Sequence, residues 1–279
     1  MDIDISLKFI DELADEARAI ARKFFGEQPS MEHKADRTPV TQADRDIEAA
    51  LVASIRGTFL EHRIIGEEFG EQSAPSSQAC TDRYTWIIVP VDGTGSFTVG
   101  NPLFGTLIGL LRNGAPWLGA IEVPVLRERW VGSPSGSFLN GHRVTTSQCE
   151  KLADAKLCTT SPDIFDAQGR QAFERVGARV ALRRYGGDCY NYALLAKGRV
   201  DLVIESGLQP YDYLPLVPVI EAAGGIITDW TGRPLRRHSD GRVIAAATET
   251  LHRQALVLLV QHPVNIFNNY LAASRVPGA

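Results

Sequence analysis

Residues 5 to 25 place apolar side chains at Phe9, Ile10, Leu13, Ala17, Ile20, Ala21 and Phe24, three and four apart, which is the stripe of an amphipathic helix. After a polar link, Thr41-Gln-Ala-Asp44 has the form of a helix cap. Ile47, Leu51 and Ile55 lay out the apolar face of a second helix behind it. His62 to Ile65 and Thr85 to Val91 are short apolar runs suited to buried strands. From Phe104 to Val144 the pattern becomes that of strands and hairpins, with Asn113-Gly114 and Asn140-Gly141 as turn dipeptides and Gly136 in a third turn. The second half alternates. Strands are predicted near Lys156 to Thr160, Val180 to Tyr185, Val200 to Ile204 and Val243 to Ala247. Helices are predicted near Phe165 to Val176, Tyr190 to Lys197, Tyr211 to Ala223 and Leu251 to Val260. The Ser/Gln/Ala stretch at 72 to 80 is expected to be a mobile loop. The pattern implies a layered α/β chain with an antiparallel portion in its first half.

Composition narrows the function classes. The chain has 279 residues, 44% hydrophobic and 22% charged, with a formal charge of -4. This is the profile of a globular protein, and it argues against nucleic acid, whose phosphates select basic surfaces. Cys80, Cys149, Cys158 and Cys189 are scattered without a C-x-x-C pair, so free thiols are expected and a zinc ribbon is not. The six histidines form no ligand-spaced pair. The acidic, amphipathic start MDIDISLKFIDELADEA is unlike a signal peptide, and no run of about 18 apolar residues suggests a membrane span. A cytoplasmic protein is expected.

Three acidic clusters follow short apolar runs: Gly66-Glu67-Glu68, Asp92-Gly93-Thr94, and Tyr211-Asp212 leading into Glu221-Ala-Ala-Gly-Gly225. A carboxylate that leaves the end of a buried strand sits at the rim of a sheet, where α/β folds place ligands. Several converging carboxylates make an oxygen-only site suited to a hard cation such as Mg²⁺. Asp-Gly-Thr before a helix start adds backbone N–H groups that suit a phosphate, and a hydroxyl able to orient water.

These motifs, with Pro39-Val40-Thr41-Gln42-Ala43-Asp44 upstream, resemble the G-E-E, D-P-[IV]-D-G-T, W-D-x-x-x-G and V-T-x-x-D elements of the inositol monophosphatase superfamily. They stand in order and at compatible spacing along nearly the whole chain. The resemblance implies a single domain over 1–279, with metal and phosphate motifs in about 1–150 and the substrate side in 151–279. It implies an αβαβα sandwich with an antiparallel sheet in the first half and a second sheet in the C-terminal half. It also implies Mg²⁺ as cofactor, a homodimer, and a small phosphomonoester as substrate, with no nucleic-acid or membrane partner. Carried over by residue, Glu67, Asp92, Asp212 and the Val91 carbonyl are expected metal ligands. Thr94, paired with Asp44, is expected to position the attacking water together with Glu67, and Gly93 and Thr94 to offer N–H groups to the phosphate. The segments Tyr185-Gly-Gly-Asp-Cys-Tyr190 and Val200 to Tyr213 are similar to the histidinol-phosphate phosphatases of this superfamily. On that likeness Gly187, Asp188, Glu205 and Asp212 face the substrate, with Asp188 also a candidate helix N-cap. Acidic side chains there suit a substrate bearing an ammonium group.

The sequence departs from the family at one ligand position. The first aspartate of D-P-[IV]-D-G-T is Val89 here, and Gly95 stands where the histidinol-phosphate phosphatases usually have lysine. Valine has no ligand atom, and an apolar wall raises the cost of holding charge beside it. Three readings stay open: a phosphate-ligand binder without turnover, an enzyme carrying a substitution, or one working with fewer or weaker metals. An inositol or other sugar-phosphate phosphatase is the alternative substrate class.

Overall fold

A computed structural model describes residues 3–26, 32–33, 39–73 and 83–260. Helix α1 (Ile3–Phe24) buries Phe9, Ile10, Leu13, Ala14, Ala17 and Ala21, the stripe predicted from spacing. The two-residue strands β1 (Glu32–His33) and β2 (Pro39–Val40) pair antiparallel. Helix α2 (Gln42–Thr58) starts at Thr41 with a capping box closed by Asp44 and buries Ile47, Leu51 and Ile55.

The first sheet has eight strands: β3 (Arg63–Gly66), β4 (Gly70–Gln72), β5 (Tyr84–Asp92), β6 (Gly105–Arg112), β7 (Ala115–Val123), β8 (Glu128–Ser133), β9 (Gly136–Leu139) and β10 (His142–Val144). Their order is β10-β9-β8-β7-β6-β5-β3-β4, antiparallel except for the β3–β5 pair. The predicted turns hold: Asn113, Gly114, Asn140 and Gly141 all have positive φ, the backbone of tight hairpins. The short helix α3 (Thr94–Thr98) follows β5. The predicted loop at 72 to 80 falls mostly outside the described residues, with Gln72 closing β4.

The second sheet has order β12-β11-β13-β15-β14, from β11 (Lys156–Thr159), β12 (Leu182–Tyr185), β13 (Leu202–Glu205), β14 (Ile226–Asp229) and β15 (Val243–Ala246). It is mixed: β12, β11 and β13 run parallel, whereas β15 is antiparallel to β13 and β14. Helices α4 (Ala167–Gly177) and α8 (Glu249–Leu259) share the core on its outer face, and α5 (Cys189–Ala196) and α7 (Leu216–Ala222) share the core between the sheets. Helices α1 and α2 cover the outer face of the first sheet, which gives the αβαβα order. The predicted helix Tyr211 to Ala223 is divided into α6 (Pro210–Tyr213) and α7, because Pro215 has no N–H to continue the ladder. No helix among the described residues is long and apolar enough to cross a membrane.

Side-chain alternation places the chemistry. In β5, Trp86 and Ile88 enter the outer core while Ile87 and Val89 enter the middle one. An extra residue then breaks the register, with Val89 opposite Leu107 but Asp92 opposite Gly105. The bulge puts Val91 into the outer core and leaves Asp92 on the same side as Val89. In β13, Leu202 and Ile204 face outward and Val203 inward, so Glu205 ends the strand pointing into the middle layer.

A row of glycines seats the helix that follows Asp212. Gly109, Gly119 and Gly132 are register partners across β6, β7 and β8. A Cβ on Gly119 would lie 2.0 Å from the Pro215 carbonyl oxygen, and one on Gly132 would lie 2.3 Å from the Pro218 backbone carbon. The α6–α7 junction therefore rests directly on sheet backbone.

Candidate active site

Between the two sheets lies a cavity of about 190 Å³, lined by Asp92, Asp188, Glu205 and Asp212 with Thr160, Cys189, Tyr192 and Leu216 among others. Asp92 Oδ2 accepts the Cys189 N–H at 2.6 Å, which ties the end of β5 to the start of α5. Asp212 Oδ2 accepts the Gln209 N–H at 2.7 Å as the cap of α6. Glu205 is 1% exposed. Its Oε1 accepts the Thr160 N–H at 2.8 Å and the Thr160 hydroxyl at 3.0 Å, whereas its Oε2 is buried without a hydrogen-bond partner.

Asp188 precedes α5 at φ 44°, ψ -130°, with no side-chain cap bond to the helix. The N-cap alternative thus lacks the hydrogen bond that would justify it. Instead Asp188 Oδ2 accepts the Ser96 hydroxyl at 3.3 Å and sits over Gly93, where a Cβ would come within 2.9 Å of it. A non-glycine residue held in this region costs about 1–3 kcal/mol. Gly187, at φ 110°, leaves room for the Asn191 side chain.

The remaining predicted residues surround the end of β5 rather than lining the cavity. Thr94 donates its hydroxyl to the Val91 carbonyl at 3.0 Å, while Asp44 Oδ2 accepts from the Thr41 N–H and hydroxyl at 2.8 and 2.7 Å. Glu67 follows β3, with its N–H on the Ile88 carbonyl at 3.2 Å, which brings it beside Val89. The turn that carries Glu67 is held by Glu48, which sequence reasoning missed although it lies one helical turn beyond Asp44. Glu48 is fully buried, and its carboxylate accepts the Glu68 and Phe69 N–H groups at 2.8 Å each. A Cβ on Gly66 would fall 1.9 Å from Glu48 Oε1. We expect Gly66→Ala to destabilise the chain by about 3 kcal/mol, an overpacking loss compounded by the displaced carboxylate. Urea denaturation measures it, and a loss under about 1 kcal/mol would mean that Glu48 swings aside freely.

The cavity disfavours negative charge. Burial raises the Asp92 carboxyl above its ordinary range. Burial, then the neighbouring Asp92 charge, pushes Asp188 up to about 7. Burial pushes Glu205 up to about 8 against the pull of its Thr160 hydrogen bonds. Cys189 and Tyr192 are raised as well, by burial first and the carboxylates second. Both thiol and phenol stay protonated. Cys158 and Cys189 are buried free thiols as expected and Cys149 is half-buried. Cys80 lies outside the described residues.

An inositol monophosphatase family model matches residues 3–263, a span that takes in both sheets and every cavity-lining residue. The chain belongs to the inositol monophosphatase family. Its relatives include the chloroplastic bifunctional phosphatase IMPL2 of Arabidopsis thaliana, 46% identical over 90% of this chain and 73% of that protein. A histidinol-phosphatase from Chlorobaculum parvum is 32% identical over 89% of this chain and 94% of that one. The structure of an inositol monophosphatase from Zymomonas mobilis superposes with a TM-score of 0.83 at 40% identity, covering 93% of this chain and 99% of that one.

The family comprises metal-dependent phosphomonoester hydrolases, generally using Mg²⁺. The donors here fit that ion in kind: the cavity is lined by carboxylates, and a cation would relieve the repulsion by which Asp92 helps to raise Asp188. They fit less well in number. Among the described residues no three Asp, Glu, His or Cys side chains stand close enough together to ligate one ion, and Val89 adds an aliphatic side chain, 1% exposed, on the same side of β5 as Asp92.

Proposed function

We propose that this family member acts on a phosphomonoester whose organic part carries a protonated amine, with L-histidinol phosphate as the leading candidate. The acidic cavity carries the proposal: four carboxylates line it and no lysine or arginine does. An ammonium group is stabilised there as a neutral polyol is not. Relatives from Chlorobaculum parvum, Mycobacterium tuberculosis and Streptomyces coelicolor named histidinol-phosphatase support the same substrate.

In this proposal the Gly93 and Thr94 backbone holds the phosphate at the end of β5. The Thr94 hydroxyl is already donated to the Val91 carbonyl, so its oxygen is oriented to accept from a water aimed at phosphorus, with Glu67 as the second acceptor. Asp44 fixes the start of α2 beside them through Thr41. Glu67, Asp92, Asp212 and the Val91 carbonyl are the groups that would hold Mg²⁺ if the ion drew them together, and it would supply charge neutralisation on the phosphoryl oxygens and leaving group. Asp188, with Gly187 before it, and Glu205 receive the organic part.

Release of phosphate from L-histidinol phosphate and from inositol 1-phosphate, each with millimolar Mg²⁺ and with chelator, tests this. We expect chelator-sensitive release favouring the amine substrate, and preference for the polyol would refute it. Val89 favours a second reading, a chain that binds the ester without turnover. Saturable binding with no phosphate release would select it.

A further inference from the structure

We propose that Tyr192 is a substrate-binding residue, its phenol oxygen and the free oxygen of Glu205 together taking up the ammonium group of the substrate. The inference rests on the amine-substrate reading above and adds a residue to it. Tyr192 lies on α5, 2% exposed, and lines the cavity. Its hydroxyl is buried without a hydrogen-bond partner, and so is Glu205 Oε2. A native fold rarely leaves such atoms unsatisfied, because each costs about 1–3 kcal/mol. Here both belong to residues that line one cavity, and the Glu205, Asp92 and Asp212 carboxyls all act on the phenol.

The chemistry of the pair selects its ligand. Glu205 Oε2 is an acceptor once a cation beside it holds the carboxyl ionised, and a phenol oxygen accepts as well as donates. A protonated amine has three N–H donors and serves both oxygens at once. A single hydroxyl can serve both as well, by donating to Glu205 Oε2 and accepting from the phenol O–H. It is the positive charge of the ammonium that separates the two groups. Tyr192 is thus a second contact for the group that Glu205 selects by charge. Thr160 holds Glu205 through its other oxygen, which fixes the direction of the free one.

Tyr192→Phe removes one oxygen and keeps the ring, so it separates a ligand role from a structural one. A merely structural tyrosine with an unsatisfied hydroxyl predicts a variant as stable as the parent, or more so, with unchanged affinities. The recognition role predicts the same stability but weaker binding of L-histidinol, by about tenfold or more, which is the range of a hydrogen bond to a charged group. Calorimetric titration of the full chain with L-histidinol, and separately with inorganic phosphate, reads both, alongside thermal melts. We expect phosphate affinity to stay constant and the Tyr192→Phe loss to shrink in a Glu205→Gln background, since both act on one group. L-Histidinol affinity that survives Tyr192→Phe overturns this inference alone, as does an equal loss for phosphate. A parent chain that ignores L-histidinol overturns the amine-substrate reading, and this inference with it.

Discussion

Val89→Asp is expected to raise phosphate release in Mg²⁺ by about two orders of magnitude or more, the scale of restoring one group that stabilises transition-state charge. It should also lower the melting temperature of the metal-free chain. Both effects come from one place. Val89 is 1% exposed in the core between the sheets, in the cluster that includes Cys189, Tyr192 and Leu216. Glu67 stands beside it, since Gly66 and Ile88 are register partners in β3 and β5. A lone carboxylate placed in that apolar cluster costs several kcal/mol or takes up a proton. Bound Mg²⁺ reverses the sign, so the melting shift on adding the ion should exceed that of the parent chain. Thermal melts with and without Mg²⁺, run beside the phosphate assay, check the two halves separately. Unchanged activity together with an unchanged Mg²⁺ shift would remove Val89 from the metal site.

Asp92→Asn is expected to act the other way, abolishing turnover by about three orders of magnitude while stabilising the metal-free chain at alkaline pH. Asp92 is half-buried and accepts the Cys189 N–H, and its charge helps to push Asp188 up to about 7. A carboxyl raised in the fold binds a proton that the unfolded chain has released, so stability falls as pH rises from the ordinary carboxylate range through the raised value. For the parent chain that window runs from about 4 to about 7 for Asp188 and to about 8 for Glu205. An asparagine removes the charge facing Asp188, which lowers the Asp188 pKa and flattens its part of the slope. Melting temperatures of both chains without metal, from pH 5 to 8.5, measure this. Parallel curves would mean that the two carboxyls do not feel each other.

Much of the fold was legible because it is local. The stripe on α1, the Thr41–Asp44 cap and the Asn-Gly hairpins are each set by residues within a few positions of one another. The misses have non-local or unmarked causes. The β7–β8 turn over residues 124–127 uses Arg127 at φ 55°, a residue type that gives no left-handed signal. Strand β14 has no hairpin signal to mark it, since its partner β15 begins 14 residues after it ends. The helix break at Pro215 was present in the sequence, but the apolar spacing runs through it. Of the residues that the family resemblance pointed to, Asp92, Asp188, Glu205 and Asp212 line one cavity. Tyr192 was hidden because an aromatic on a buried helix gives an apolar signal whether or not its hydroxyl serves a ligand. Glu48 was hidden among ordinary helix residues, its role visible only once β3 brings Gly66 against it.

The glycine row under the α6–α7 junction bears on how such a scaffold can diversify. Asp212 is carried by a segment whose footing is backbone against backbone at Gly119 and Gly132, so no exchange of one side chain for another can slide it by a fraction of an ångström. Any residue larger than glycine lifts the segment outright. Change of substrate on this scaffold therefore has to come from the residues around the cavity, such as Asp188, Tyr192 and Glu205, while the spacing between the two sheets stays constant. A designer seeking a new phosphate ester has the same choice: redraw the lining and leave the three glycines alone.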